Sequence, residues 1–92
     1  MSINNKTARI KAKIFLFTKP DYPLCWFNFE RKRNQSDDYI IRDMAKRIRT
    51  KYLDELKLVI FYSNEQNPEI SQSIELARMT THDKYPKMSK IL

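Results

Sequence analysis

A stretch of nine residues near the start of the chain, RIKAKIFLF (9–17), alternates between two kinds of side chain with a period of two. Successive side chains of a β-strand point to opposite faces, so this period predicts a half-buried strand with one apolar face and one basic and aromatic face. The apolar set is Ile10, Ala12, Ile14 and Leu16, and the opposite set is Arg9, Lys11, Lys13, Phe15 and Phe17.

A second stretch, Leu24–Arg31, alternates in the same way and predicts a second strand. The residues between the two strands, TKPDYP (18–23), include two prolines. Proline cannot donate a hydrogen bond to a β-ladder and is favoured in turns. The two strands are therefore predicted to form a β-hairpin that turns at TKPDYP.

The register of this hairpin is predicted from the requirement that apolar side chains share one face. If Phe17 lies opposite Leu24, every apolar partner falls on the same side of the sheet. This register buries Cys25 as a small hydrophobic residue. It also places Trp26 on the outer side, beside the strand lysines.

Residues 36–53, SDDYIIRDMAKRIRTKYL, have the pattern of an amphipathic helix. Ser36 is a good N-cap, and Asp37 and Asp38 suit the positive end of the helix dipole. The apolar residues recur at helical spacing and form a stripe wide enough to face a core. We predict a helix over Asp37–Leu53 whose core-facing residues are Ile40, Ile41, Met44, Ala45, Ile48 and Tyr52.

The last third of the chain predicts one further strand and a second helix. Glu55–Ser63, ELKLVIFYS, is apolar on both faces, which is typical of a central strand. Asn67 followed by Pro68 favours the start of a helix that would run to Met79. The alternative for this region is a fourth strand with one face formed by Ile70, Gln72, Ile74 and Leu76.

These elements predict an α+β fold in one compact domain over residues 1–92, since a chain of this length can bury only one core. An antiparallel sheet of three or four strands, built from the hairpin and the later strand, would pack on one amphipathic helix, with a short second helix beside it. Residues 81–92 have no clear period and are predicted to form an irregular tail.

The composition argues against the common catalytic and metal-binding motifs. Glycine is absent, which excludes phosphate-binding loops, dinucleotide fingerprints, nucleophile elbows and EF-hand loops. Cys25 and His82 are each the single residue of their type, and helix-start chemistry accounts for Asp37 and Asp38. We therefore expect no metal, no cofactor, no small-molecule substrate and no enzymatic activity.

The sequence also lacks the apolar segments that membranes and secretion require. No stretch approaches the roughly 20 apolar residues of a membrane span, and the first residues have no apolar signal core. A cytoplasmic protein without membrane contact is the expectation.

The positive charge is concentrated in the first part of the chain. The net charge is +6 over residues 1–33, +2 over 34–53 and −1 over 54–92. A regional excess of Lys and Arg favours polyanionic partners, because bases that neutralise phosphates release counterions.

Bases and aromatic rings on one surface are the combination that binds single-stranded nucleic acid, through phosphate contacts and base stacking. The alternative is that the outer aromatic residues are covered by a second core layer. The candidate binding residues are Arg9, Lys11, Lys13, Trp26, Arg31, Lys32, Arg33, Arg42, Lys46 and Arg49.

In size, single-domain α+β build and usage of Lys, Asn, Ile and Tyr, the chain resembles the small phage-encoded proteins that disable host defences. Among these are anti-CRISPR inhibitors of type I surveillance complexes. The resemblance implies a non-enzymatic inhibitor that docks its basic surface on a host ribonucleoprotein or nuclease complex. It would contact the guide RNA or the DNA-binding groove and block that groove sterically.

Two alternatives from other classes stay open. The first is a small nucleic-acid-binding accessory or regulatory protein that binds free DNA or RNA. The second is a toxin-type RNase that uses His82, for which general acid–base chemistry needs a second group held nearby.

Overall fold

The computed structural model describes residues 10–28, 36–63 and 74–89, which form an antiparallel sheet of five strands with one helix against it. The strands lie in the order β2-β1-β3-β4-β5. The elements are β1 (Ile10–Leu16), β2 (Lys19–Phe27), α1 (Asp37–Tyr52), β3 (Leu56–Ser63), β4 (Glu75–Thr80) and β5 (Lys87–Met88), with a 3₁₀ turn over Leu53–Glu55. The predicted α+β class is confirmed, with more strands than expected.

Strand β1 has the two faces that its alternation predicts. Ile10, Ala12, Ile14 and Leu16 are buried, and the residues between them are half-buried. The buried set packs with the apolar face of α1 in a single core, so we call this side of the sheet the inner face and the other side the outer face.

The hairpin forms, but its turn and register differ from the prediction. The chain turns at Phe17 and Thr18, and β2 begins at Lys19, so the predicted turn lies mostly inside a strand. Pro20 and Pro23 are accommodated because β2 is the edge strand of the sheet that the described residues form, and an edge strand needs ladder hydrogen bonds on one side alone.

The new register exchanges the two faces of β2. Ile14 lies opposite Leu24 rather than opposite Phe27, and a shift by an odd number of residues moves each side chain to the other face. Trp26 therefore lies opposite Ala12 on the inner face, and Cys25 is exposed. The predictions of an outward Trp26 and a buried Cys25 are wrong for this one reason.

Helix α1 begins where the sequence predicts and ends one residue earlier. Ser36 caps it, with Oγ accepting a hydrogen bond from the Tyr39 backbone N–H at 3.2 Å. The predicted core residues are buried except for Tyr52, which is half-buried against the core. Leu53 ends the helix with φ 49°. Glycine usually adopts this backbone conformation, and in this chain, which has no glycine, a leucine adopts it.

Strand β3 is the centre of the sheet, as its apolar sequence predicts. It pairs with β1 on one side and with β4 on the other. Val59 and Phe61 are fully buried on the inner face, and Ile60 between them is buried on the outer face.

The second helix predicted up to Met79 is wrong over the residues described. Glu75–Thr80 form β4, in which Ala77 and Met79 lie opposite Phe61 and Val59 and are buried. Backbone pairing with the open edge of β3 outweighs a helical spacing that only a few apolar residues support. The proposed helix start at Asn67 and Pro68 lies outside the described residues.

The predicted irregular tail is ordered over much of its length. Met88 lies opposite Ala77 and Lys87 opposite Arg78, so that β5 extends the sheet by a short strand. Thr81 donates a hydrogen bond from its hydroxyl to the carbonyl of Leu56, which holds the turn after β4 against the start of β3.

Candidate nucleic-acid interface

The outer face of the sheet lies opposite the layer formed by α1, the only helix in the part of the chain that the structure describes. Strand alternation and register assign its side chains, because residues paired across a ladder share a face. The outer-face residues assigned in this way are Lys11, Lys13, Phe15, Cys25, Phe27, Leu58, Ile60, Tyr62, Glu75, Arg78, Thr80 and Lys87.

The centre of the basic part of this face is the ring of Tyr62. The Nζ atoms of Lys11 and Lys13 lie 5.8 Å and 5.4 Å from the centroid of that ring. Tyr62 is directly opposite Lys11 in the β1–β3 ladder, so regular strand pairing sets this geometry. A π-face attracts cations at this range.

The two lysines keep their charge available within the described ranges. No carboxylate of residues 10–28, 36–63 or 74–89 forms an ion pair with either of them. Both are half-buried, so their aliphatic stems cover the sheet while their ammonium groups stand beside Tyr62.

Aromatic and aliphatic side chains surround this basic centre. Phe15 and Leu58 lie opposite each other and are half-buried, as is Phe27, which lies opposite Lys11. The outer face therefore offers flat apolar surface and cations next to one another.

The β4 and β5 side of the outer face is electrically neutral over the described residues, because Arg78 pairs with Glu75 and Lys87 pairs with Asp83. Arg78 donates to both carboxylate oxygens of Glu75, at 3.0 Å and 2.6 Å, and Ser89 donates to the same carboxylate at 2.5 Å. The hydrogen bonds from Arg78, and then from Ser89, hold the pKa of Glu75 below its ordinary value. Within the described residues, Lys11 and Lys13 are therefore the cations of this face that have no carboxylate partner.

The sequence-predicted site residues fall into three groups. Lys11 and Lys13 share the outer face, as their alternation predicts. Trp26 does not join them, because it lies on the inner face with its ring 6.0 Å from Tyr52 and 5.5 Å from the Lys51 ammonium. Outside the described residues lie Arg9, Arg31, Lys32 and Arg33.

Arg42, Lys46 and Arg49 belong to a different surface. They line a cleft of about 400 Å³ between α1 and the segment that follows β4. The predicted single basic surface is therefore two surfaces on opposite layers of the fold. The cleft is formed by Tyr39, Arg42, Asp43, Ala45, Lys46, Arg49 and Thr50 of α1, facing Met79, Lys84, Tyr85 and Pro86.

Sequence reasoning missed Tyr62 on the outer face and Lys84 and Tyr85 in the cleft. The alternation of ELKLVIFYS assigns Tyr62 to a strand, and the pairing of that strand with β1 was the additional information needed to bring it beside the lysines. Nothing in the local pattern of THDKYP places its residues against α1.

His82, the candidate for RNase chemistry, lies with Asp83 in the segment that turns after β4. The Asp83 carboxylate accepts hydrogen bonds from the backbone N–H and hydroxyl of Thr80 at 2.9 Å and 3.1 Å, and it pairs with Lys87 at 3.4 Å. The backbone hydrogen bond from Thr80 is the main reason that the pKa of Asp83 is lowered. His82 is exposed.

Comparisons with protein-family models, with curated proteins and with solved structures give no match to this chain. Over the three described ranges, no group of three or more His, Cys, Asp and Glu side chains could hold a metal ion. No helix in those ranges combines the length and apolar character of a membrane span. The case for function therefore rests on the two surfaces themselves.

Proposed function

We propose that the protein binds single-stranded nucleic acid on the outer face of its sheet and acts by occupying that strand, without chemistry of its own. The observation that carries the proposal is the placement of Lys11 and Lys13 around Tyr62, on a face that also carries Phe15 and Phe27.

The aromatic side chains supply stacking surface. Sheets that bind single-stranded RNA stack unpaired bases on aromatic side chains of their open face, and each stacked base contributes about 1–3 kcal/mol. Tyr62 and Phe15 lie on neighbouring strands of the same face, so bases stacked on them would follow the sheet surface.

The lysines supply contacts to the phosphates. Their ammonium groups lie over the Tyr62 ring, so a base that displaced them and stacked on that ring would bring its own phosphate within their reach. Lysine binds phosphate as a point charge, which suits a strand whose sequence is not read. The neutral Glu75–Arg78 pair leaves the β4 side of the face without this attraction.

The biological setting that we propose is inhibition of a host nucleic-acid-guided defence complex, with the outer face docked on exposed guide RNA or in the DNA-binding groove. A five-stranded sheet is a rigid support for such a blocking surface. Binding to free nucleic acid as an accessory or regulatory protein uses the same face, and the two settings differ in whether naked strands bind at physiological salt.

The first test removes the lysine charges and keeps their stems. Lys11→Met together with Lys13→Met should weaken binding of a fluorescein-labelled oligouridylate by at least about tenfold at low salt, because two phosphate contacts are lost. The slope of log K against log salt should fall by about 1.4, since each single-strand phosphate contact contributes about 0.7. Fluorescence anisotropy across a salt series measures both quantities.

The matched control is Arg47→Met with Lys51→Met, which removes the same charge from exposed positions of α1 on the other layer. This control should change the affinity by less than about twofold. Equal weakening by both double variants would contradict the proposal, because it would make the effect one of net charge alone.

The second test removes the central ring. Tyr62→Leu keeps an apolar side chain and should weaken binding about five- to 150-fold, which corresponds to the loss of one stacked base. Tyr39→Leu, on α1, is the control and should bind normally. An unchanged affinity for Tyr62→Leu would show that bases do not stack at this position.

A pull-down from bacterial lysate, with and without nuclease treatment, separates the two settings. A protein complex that is retained by the wild type and lost with Lys11→Met and Lys13→Met supports the inhibitor setting. Capture of nucleic acid alone supports the accessory or regulatory one.

A further inference from the structure

The cleft beside α1 has the size of a small-molecule site. Its volume is about 400 Å³, and ligand pockets usually fall between about 300 and 1,000 Å³. It opens on the layer that carries α1, whereas the proposed nucleic-acid surface is the outer face of the sheet. A ligand in the cleft is therefore separate from the function proposed above.

The inner end of the cleft is apolar and its rim is aromatic. Ala45 and Met79 are buried core residues whose surfaces also line the cleft. Tyr39 and Tyr85 line it as well, and both are exposed. Such a lining suits the flat, apolar part of an organic molecule.

The charge of the cleft is strongly positive. Among the described residues, four cations line it, namely Arg42, Lys46, Arg49 and Lys84, against one carboxylate, that of Asp43, which already pairs with Arg47 at 3.2 Å. The charge of Arg42 is partly compensated by Asp38 at 3.4 Å. Even so, the cations outnumber the carboxylates around this space.

Arg49 is the most informative residue of the cleft. Its Nη2 atom is buried and has no hydrogen-bond partner among the residues that the structure describes. A buried charged donor without an acceptor destabilises the fold until an acceptor arrives, and native proteins seldom leave one unpaired without a functional reason. Arg49 itself lines the cleft, so an anion bound there would bring an acceptor to its guanidinium group.

We infer that the cleft binds a phosphate monoester with a flat organic body, the chemistry of a nucleoside monophosphate. The phosphate accepts from the guanidinium of Arg49, and Lys46 and Lys84 add charge at the rim. The base lies over Ala45 and Met79. A dianion is favoured over a single carboxylate because the surplus of cations exceeds one charge.

The ligand specificity is tested with AMP as the probe in isothermal titration calorimetry. The full chain should bind AMP saturably with one site, and at least about tenfold more tightly than adenosine or inorganic phosphate, since each of these lacks one half of the recognised chemistry. Equal binding of adenosine would overturn the anion site, and equal binding of inorganic phosphate would overturn the base site. A lack of saturable binding at millimolar AMP would overturn the inference as a whole.

The role of Arg49 is tested by Arg49→Met. It should weaken AMP binding by at least about tenfold, whereas the control Lys51→Met, on the same helix but outside the cleft, should change it by less than about twofold. AMP should also raise the melting temperature of the wild type and leave that of Arg49→Met unchanged. Equal binding by the wild type and Arg49→Met would refute the assignment.

A measurement on the wild-type chain covers the case in which Arg49→Met fails to fold. With methyl-labelled methionine, AMP should shift the NMR signal of Met79, which lines the cleft, more than that of Met88 on β5. The reverse order would place the ligand elsewhere. Lys11→Met with Lys13→Met should leave AMP binding unchanged, which separates this site from the proposed nucleic-acid surface.

Discussion

The outer face of the sheet and the cleft beside α1 contain the same kinds of residue in different arrangements. On the outer face, Lys11 and Lys13 flank one ring on an open sheet surface. In the cleft, the cations surround a concave space with an apolar interior, and one of them, Arg49, has a buried nitrogen without a hydrogen-bond partner among the described residues. Similar composition thus favours different ligands: an extended strand on the sheet and a compact anion in the cleft.

The comparison also shows why net charge alone predicts little about binding. On α1, Arg42 and Arg47 pair with aspartates one turn away, at 3.4 Å and 3.2 Å. Such exposed pairs contribute little to stability, but they reduce the field that a partner meets. Some Lys and Arg side chains therefore keep a charge that a partner can meet, whereas others are neutralised by a neighbouring carboxylate.

The largest effect is expected from a substitution in the core, because the core supports both surfaces. Phe61 is fully buried beneath the sheet centre, so Phe61→Ala should lower the free energy of unfolding by about 3–5 kcal/mol. Urea unfolding followed by circular dichroism measures this loss. Oligouridylate and AMP binding should then weaken together. Loss of one activity with full retention of the other would contradict a common structural support.

A smaller effect is expected from a substitution at Leu53, which should raise the stability and leave both surfaces intact. Leu53 is 66% exposed and has φ 49°, which strains any residue with a Cβ atom. Leu53→Gly should raise the free energy of unfolding by about 1 kcal/mol, the relieved strain less the backbone entropy of glycine. Leu53→Ala is the control, since it keeps the Cβ atom and should not be stabilising. A stabilising alanine would point to side-chain exposure as the cause.

The smallest effect is expected from a substitution at Glu75, which should change binding at the outer face and leave binding in the cleft unchanged. Glu75→Gln frees Arg78 from its carboxylate partner and adds one available charge to the outer face. Oligouridylate binding should tighten by about twofold to fivefold at low salt, and AMP binding should not change. Glu55→Gln, which makes the same charge change at an exposed residue of the 3₁₀ turn, is the control for oligouridylate binding.

The same substitution has a pH signature. Because the pKa of folded Glu75 is lowered from 4.5, its pairing stabilises the protein above that value, and the stabilisation is lost as the pH falls through the lower folded pKa. For an exposed pair the loss should be a few tenths of a kcal/mol. On acidification, the wild type should lose this contribution to the free energy of unfolding, and Glu75→Gln should not. Parallel pH profiles for the two proteins would contradict a stabilising role for the pair.

The elements that local sequence determines were predicted well. Helix α1 carries its own cap, its acidic first turn and its apolar stripe within one continuous segment, and β1 and β3 carry their patterns in the same way. For these elements, tertiary packing reinforces the local preference.

The failed predictions concern relations between segments. The hairpin register depends on β2 being an edge strand that tolerates Pro20 and Pro23, which alternation cannot reveal. Residues 75–79 fit both a helical and a strand pattern, and pairing with β3 decided between them. The cleft joins α1 to Lys84 and Tyr85, whose placement depends on the turn after β4.

The prolines of β2 also determine how the molecule meets other copies of itself. At the β2 edge of the sheet, Phe17, Tyr22 and Leu24 are exposed. An edge strand with exposed apolar residues favours pairing with a strand of another chain. Pro20 and Pro23 lack the amide hydrogens that a pairing strand would need. They therefore disfavour extension of the sheet by another chain at this edge. The edge of the sheet at β2 is thereby protected from pairing with further copies of the chain.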